Sequence, residues 1–170
     1  GFSTLELGLT KTGLLSTLNT TAHAGGTFFA PSNFAFKKLG PKINAFLFSK
    51  YGLKYLKGLL EYHVVVNQTL YSDAYYDQSG GEKDMSDTPK GYFHFDLPTL
   101  FDDRSLSVSY PPFMGLPLDS REHGFNAFYA QVDVARYGPF ISIKVNGFSR
   151  VTVQDGVAKD GVIQVVSDVL

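Results

Sequence analysis

Leucine spacing organises the first third of the chain. Leu5, Leu9, Leu14, Leu15 and Leu18 recur at roughly helical intervals, so residues 4–22 are expected to form one amphipathic helix, stopped by Gly25-Gly26. Thr27 to Ala30 reads as a short buried strand. Pro31-Ser32-Asn33 then turns the chain into a helix carrying Phe34, Phe36 and Leu39. Gly40-Pro41 breaks that helix, and Ile43, Phe46 and Leu47 mark the next. Leu53, Leu56, Leu59 and Leu60 mark a further helix ending near Tyr62-His63, where Val64 to Val66 switches to strand character.

The pattern changes after that point. Residues 77–91 are rich in Gly, Asp, Ser and Lys and read as a surface loop. Strand signals follow at Tyr92 to Leu97, Leu106 to Tyr110, Phe128 to Val134, Ile141 to Val145, Val151 to Val153 and Val162 to Val166. Pro111, Pro112, Gly115 and Pro117 punctuate an irregular stretch running to about Gly124. Asp160-Gly161 is the hairpin signal between the last two strands, because glycine accepts positive φ at low cost. Helices first and strands later indicate an α+β fold, with several short N-terminal helices decorating a β-sandwich or wedge-shaped sheet. No repeat and no internal boundary appears, so residues 1–170 are read as one domain.

Composition narrows the function classes. With 44% hydrophobic and 18% charged residues, the 170-residue chain suits a folded domain with a sizeable core. A net charge of -1 gives no electrostatic argument for nucleic acid or an anionic membrane. The absence of cysteine excludes disulfides, thiol catalysis and cysteine-held metals. No apolar run approaches the ~18 residues of a membrane span. The chain opens on Gly1 without a signal peptide, so it reads as a mature or excised chain. Fifteen Phe and ten Tyr are read first as core, with the surplus available to line a pocket or a binding face.

Catalytic motifs are few. There is no nucleophile elbow, P-loop or dinucleotide fingerprint, and no cofactor is expected. His23, His63, His94 and His123 show no paired metal-ligand spacing, so no metal site is expected. His63 sits where a helix becomes a strand and is read as a hydrogen-bonded structural residue. His94 and His123, the latter beside Arg121, are the better candidates for acid–base work. Asn19-Thr20-Thr21 and Asn67-Gln68-Thr69 are glycosylation sequons, which place Asn19 and Asn67 at the surface if they are used.

Three segments carry a family resemblance. Thr27-Phe28-Phe29-Ala30-Pro31-Ser32-Asn33 with Ala35-Phe36 resembles the first signature box of fasciclin domains. Leu59-Leu60-Glu61-Tyr62-His63-Val64-Val65 resembles their Tyr-His box, and Asn146 with Asp160 to Leu170 resembles their second box. The wording of the boxes is most similar to that of filamentous-fungal fasciclin-like proteins. Phe34 stands where the family often has an acidic residue, and Gln164 where it often has His. Residues 77–124 look longer than the family's usual connection and read as an extended insertion. The chain ends where the family commonly continues with proline.

The resemblance implies a secreted or cell-surface glycoprotein domain in cell adhesion or matrix interaction, non-catalytic, with a protein or glycan as partner. A lipid anchor beyond this chain is one form that location takes. Tyr71, Tyr75, Tyr76, Tyr92 and Tyr110 are the candidate contact residues, since exposed tyrosines dominate binding faces. The alternative expectation is a small apolar or aromatic ligand, held or acted on in an insertion-built pocket with His94, His123 and Arg121, as in fungal secondary metabolism.

Overall fold

Gly13 divides the expected N-terminal helix in two. In a computed structural model that describes residues 1–21, 25–66, 68–69, 92–102, 127–137, 140–158 and 161–170, α1 spans Ser3–Thr12 and α2 spans Leu14–Thr21. Gly13 adopts φ +73° between them, the left-handed cap that only glycine takes at little cost. Strand β1 is Gly26–Pro31, followed by helices α3 (Asn33–Lys38), α4 (Pro41–Leu47) and α5 (Leu53–Tyr62) and strand β2 (Val64–Val66). The remaining strands are β3 (Tyr92–Asp102), β4 (Ala127–Tyr137), β5 (Phe140–Val145), β6 (Ser149–Ala158) and β7 (Gly161–Val166). The strand expected at Leu106 to Tyr110 and most of residues 77–124 lie outside the described residues.

The α+β class holds, but the strands are arranged differently from the sandwich or wedge expected. All seven close into a barrel in chain order, shut by a parallel pairing of β1 with β7. The ring is uneven. Long ladders join β3 to β4, β4 to β5 and β6 to β7, whereas β2 meets β3 through the single pair Val65↔Thr99. Strands β5 and β6 share only Lys144↔Arg150 and Val145↔Ser149. Two well-paired halves joined by thin seams produce the alternating hydrophobic pattern of a two-layer sheet, so sequence periodicity does not separate the two arrangements.

Alternation along β1 creates two cores. Phe29 faces the barrel interior with Val65, Leu97, Val132, Val134, Ile143, Val145 and Val166. Ala30 faces the other way, onto Leu5, Leu9, Phe36, Leu56 and Leu60 of the helices. Phe29 and Phe36 are essentially inaccessible to solvent, and burying each contributes roughly 1.5–3 kcal/mol. The first signature segment is therefore the seam where the helical layer and the barrel share one strand.

Side chains from that segment also fix the helix starts. Ser32 caps α3, accepting the Ala35 N–H at 3.3 Å. Asn33 serves a different helix: its Oδ1 accepts the Thr4 N–H at 3.0 Å, and its Nδ2 donates to Ser3 Oγ at 2.9 Å. Phe2, at the N-cap of α1, makes no side-chain cap hydrogen bond, so Asn33 supplies one from a distance. Lys38 ties α3 to the segment after β7, donating to Ser167 O and Asp168 Oδ1 at 2.9 Å each.

The turns near the end of the chain differ from expectation. Ala158 pairs directly with Gly161, so Gly161 is already in β7, with φ outside the left-handed region. Its lack of a side chain serves a close approach instead, because a Cβ there would lie 2.5 Å from Gly26 O. Among the described residues of this region, a positive-φ turn is Asn146-Gly147, at φ +52° and +76°, with Phe148 N–H donating to Val145 O at 3.3 Å. Asn-Gly between two strands is itself a strong hairpin signal. At Asp155 (φ +59°) strand β6 is irregular, and Gln164 holds it through Asp155 N–H to Oε1 and Nε2–H to Asp155 Oδ1, both 3.0 Å. Gln164 thus has a bulge-clamping role at the position where the resemblance expects His.

Candidate functional site

One face of α5 is aromatic. Tyr55, Leu59 and Tyr62 stand at i, i+4 and i+7, which aligns them along the helix, while Leu56 and Leu60 turn into the helical core. Opposite them lie Phe101, at the end of β3, and Phe128, at the start of β4. Together with Gly58 these residues line an open groove of about 230 Å³. Its rings touch in sequence: Tyr62 meets Phe101 edge-on (6.5 Å, 88°), and Phe101 meets Phe128 at 4.8 Å and 40°. Phe46 extends the row by packing on Tyr55 at 5.7 Å.

Tyr62 is held in place by its hydroxyl. The O–H donates to Tyr129 O at 2.9 Å, and the Tyr62 hydroxyl oxygen accepts Asn146 Nδ2–H at 3.0 Å. Asn146 in turn bonds the β4 backbone, its N–H reaching Gln131 O at 2.7 Å and its Oδ1 accepting Gln131 N–H at 3.0 Å. Helix α5, strand β4 and the β5–β6 turn are thus locked at one node, and the Tyr62 ring is a fixed wall of the groove.

A second cluster sits on the outer face of β3 and β4. His94 is directly opposite Asp133, and Asp96 follows two residues along the same face. His94 Nδ1 lies 2.6 Å from Asp133 Oδ1, and Nε2 lies 3.3 Å from Asp96 Oδ1. The hydrogen bond to Asp133, helped by the charges of Asp133 and Asp96, raises the imidazole pKa above its ordinary value. Lys144 on β5 continues the row, as the cross-strand partner of Asp133.

These two clusters do not converge. His94 and Phe101 are seven residues apart on one strand, roughly 23 Å at the usual rise. His63, by contrast, is wholly buried: Nδ1–H donates to Leu59 O at 2.7 Å, and Nε2 accepts the Leu170 N–H at 3.0 Å. Desolvation lowers its pKa to about 4, so it is neutral and structural.

Of the other expected site residues, Tyr92 opens β3 and Asn19 lies in α2. Tyr71, Tyr75, Tyr76, Tyr110, Arg121, His123 and Asn67 lie outside the described residues. Tyr55, Phe101, Phe128 and Asp133 escaped the sequence reading. Only Tyr55 carried a signal, its i, i+4, i+7 relation to Leu59 and Tyr62. Among the described residues no group of three or more His, Asp or Glu is placed to hold a metal ion, and no helix is long and apolar enough to cross a membrane.

Comparison with known proteins fits this architecture. The barrel and helices resemble the FAS1 domain pair of the insect cell adhesion molecule fasciclin I, with a TM-score of 0.60 and 16% identity, over 98% of this chain and 43% of that one. Among curated proteins, aurofusarin biosynthesis cluster protein S of Gibberella zeae is 46% identical over 109 residues, which is 62% of this chain and 27% of the relative. The chain thus spans less than half the length of either. The family model for the fasciclin domain matches residues 1–97, which include the first signature segment and the Tyr-His segment. Similar to a fungal relative in sequence and to an insect FAS1 pair in fold, the chain belongs to the fasciclin domain family.

Proposed function

We propose that this is a single binding domain of the adhesion type, non-catalytic, acting outside the cell or at its surface on a protein or glycan partner. The observation that supports this reading is the exposed aromatic row Phe46, Tyr55 and Phe128 beside a fully packed barrel. These side chains are 44–47% exposed, whereas the barrel-lining residues are all but inaccessible. Large rings left in water around a shallow groove mark a contact surface better than they mark a core. His94, roughly 23 Å along β3 from Phe101, is too far from the groove to share one active site with it. In this reading, residues 77–124 are an extended insertion, and Tyr71, Tyr75 and Tyr76 just before it, with Tyr92 and Tyr110 within it, add to the contact face. The test is binding of the purified domain to host cell walls and to a glycan array. Loss of binding in a Phe46→Ala/Tyr55→Ala protein supports the reading, and unchanged binding removes this face from it.

A second reading has a specific observation behind it. The curated relative is named for a biosynthesis cluster, which supports a small-molecule role as the alternative. Native mass spectrometry of protein from its own host tests both at once, reporting glycans at Asn19 and Asn67 and any bound compound.

A further inference from the structure

We propose that the groove between α5, β3 and β4 is a binding site for a neutral, planar aromatic molecule of one or two fused rings. The proposal deepens the small-molecule reading and rests on it. It also moves the site away from His94 and onto Tyr55, Tyr62, Phe101 and Phe128.

Size sets the first limit. An engineered apolar cavity of roughly 150 Å³ takes up benzene. A groove of about 230 Å³ accordingly takes one or two rings and is smaller than the usual drug-sized pocket.

Chemistry sets the second limit. Among the described residues, those lining the groove present four aromatic rings, a leucine and a glycine, and no charged group. Tyr62 carries a hydroxyl, but that group is already engaged with Tyr129 O and Asn146. A charged ligand would lose hydration without gaining partners here, whereas an aromatic face loses little. The ring faces offer offset and edge-on stacking, the two arrangements already used by Phe101 with its neighbours.

Preorganisation is the third argument. Phe101 is clamped between Tyr62 and Phe128, and Tyr62 is pinned through its hydroxyl, so the walls need no ordering when a ring enters. Tyr55 and Phe128, 44% and 47% exposed, present apolar ring surface at its rim.

The probe is 2-naphthol, titrated into the full chain and followed by chemical-shift perturbation and calorimetry, with a saturated bicyclic alcohol of similar size as control. Wild type is expected to saturate below about 1 mM and to prefer the aromatic probe. Phe128→Ala and Tyr55→Ala are expected to weaken binding about tenfold or more, while His94→Gln stays within about threefold of wild type. Circular dichroism confirms that each variant is folded. No saturable binding to wild type overturns the proposal, as does wild-type affinity in both folded alanine variants. A host-derived compound seen by native mass spectrometry that persists in Phe128→Ala rejects the groove and keeps the small-molecule reading. A wild-type domain that carries no compound and does not bind the probe rejects both.

Discussion

The His63 imidazole receives the backbone N–H of Leu170, 107 positions later in the chain, at 3.0 Å. Its other nitrogen donates to Leu59 O, and its own carbonyl accepts the Phe29 N–H at 2.9 Å. One buried ring therefore joins the end of α5, the central strand β1 and the segment after β7. That explains why the Tyr-His pair belongs to the fold rather than to catalysis.

A pH dependence follows from this burial. The folded-state pKa of about 4 lies below the ordinary 6.5, so the unfolded chain binds the proton more readily. Stability from this group is complete above pH 6.5 and is lost as pH falls toward 4. The full difference is about 3 kcal/mol by linkage. Urea denaturation at pH 7.5 and 4.5 should show wild type losing much of this amount. His63→Asn should be less stable at pH 7.5 by about 2 kcal/mol, because the Leu170 and Leu59 groups lose their partner. Its stability should also vary less with pH over that interval; an equally steep dependence in the variant would show that His63 is not the group responsible.

The node at Tyr62 and Asn146 makes a separate prediction. Asn146→Gly keeps the positive φ of the turn but removes the side-chain bonds to Tyr62 and Gln131, whereas Asn146→Ala loses both. The glycine variant should lose about 1–2 kcal/mol and the alanine variant about 1 kcal/mol more. Tyr62→Phe should cost about 1 kcal/mol and leave the groove volume unchanged. Thermal melts of the three proteins check the order; equal stability of the glycine and alanine variants would remove the turn from the argument.

Much of this was legible in the sequence where a local signal and the tertiary structure agree. Gly40-Pro41 ended α3, Val64 to Val66 formed β2, and the closing strands followed their β-branched runs. An isolated glycine is tolerated within a helical pattern, so only the positive φ of Gly13 reveals the break. The groove was harder to see. Phe101 and Phe128 meet only because β3 and β4 pair through Leu97↔Ala130 and Pro98↔Tyr129, a register that no local pattern announces. Asp133 reaches His94 by the same ladder. Barrel closure was invisible for a similar reason: the parallel β1–β7 pairing joins strands from opposite ends of the chain.

Two glycines offer a contrast in cause. Gly161→Ala would bring a Cβ to 2.5 Å from the Gly26 backbone oxygen, so β1 or β7 must move. Gly13→Ala meets nothing within 4 Å and costs only the left-handed conformation. The expected losses are about 2 kcal/mol or more for Gly161→Ala and about 1 kcal/mol for Gly13→Ala. Amide exchange separates them further. Gly161→Ala should weaken protection in β1 and β7, whereas Gly13→Ala should affect only α1 and α2. Undiminished protection of β1 in Gly161→Ala would mean that the approach to Gly26 is not tight in solution.

His94 should respond to pH in the opposite sense from His63. Its hydrogen bond to Asp133 comes first among the causes that raise its pKa, with the Asp133 and Asp96 charges adding to it. A folded-state value above 6.5 means that the stabilisation is complete below pH 6.5 and disappears as pH climbs through the raised value. Because the ring is solvent-exposed, the effect belongs to the titration of the site more than to global stability. Following the His94 ring protons by NMR should place its midpoint above that of a free histidine. Asp133→Asn should lower the midpoint more than Asp96→Asn, since it removes the shorter contact, 2.6 Å against 3.3 Å. The order of the two variants is the decisive reading. If Asp96→Asn produced the larger drop, the ring would be oriented by its own strand, and the cross-strand pair His94–Asp133 would not be what holds the proton on the outer face of the barrel.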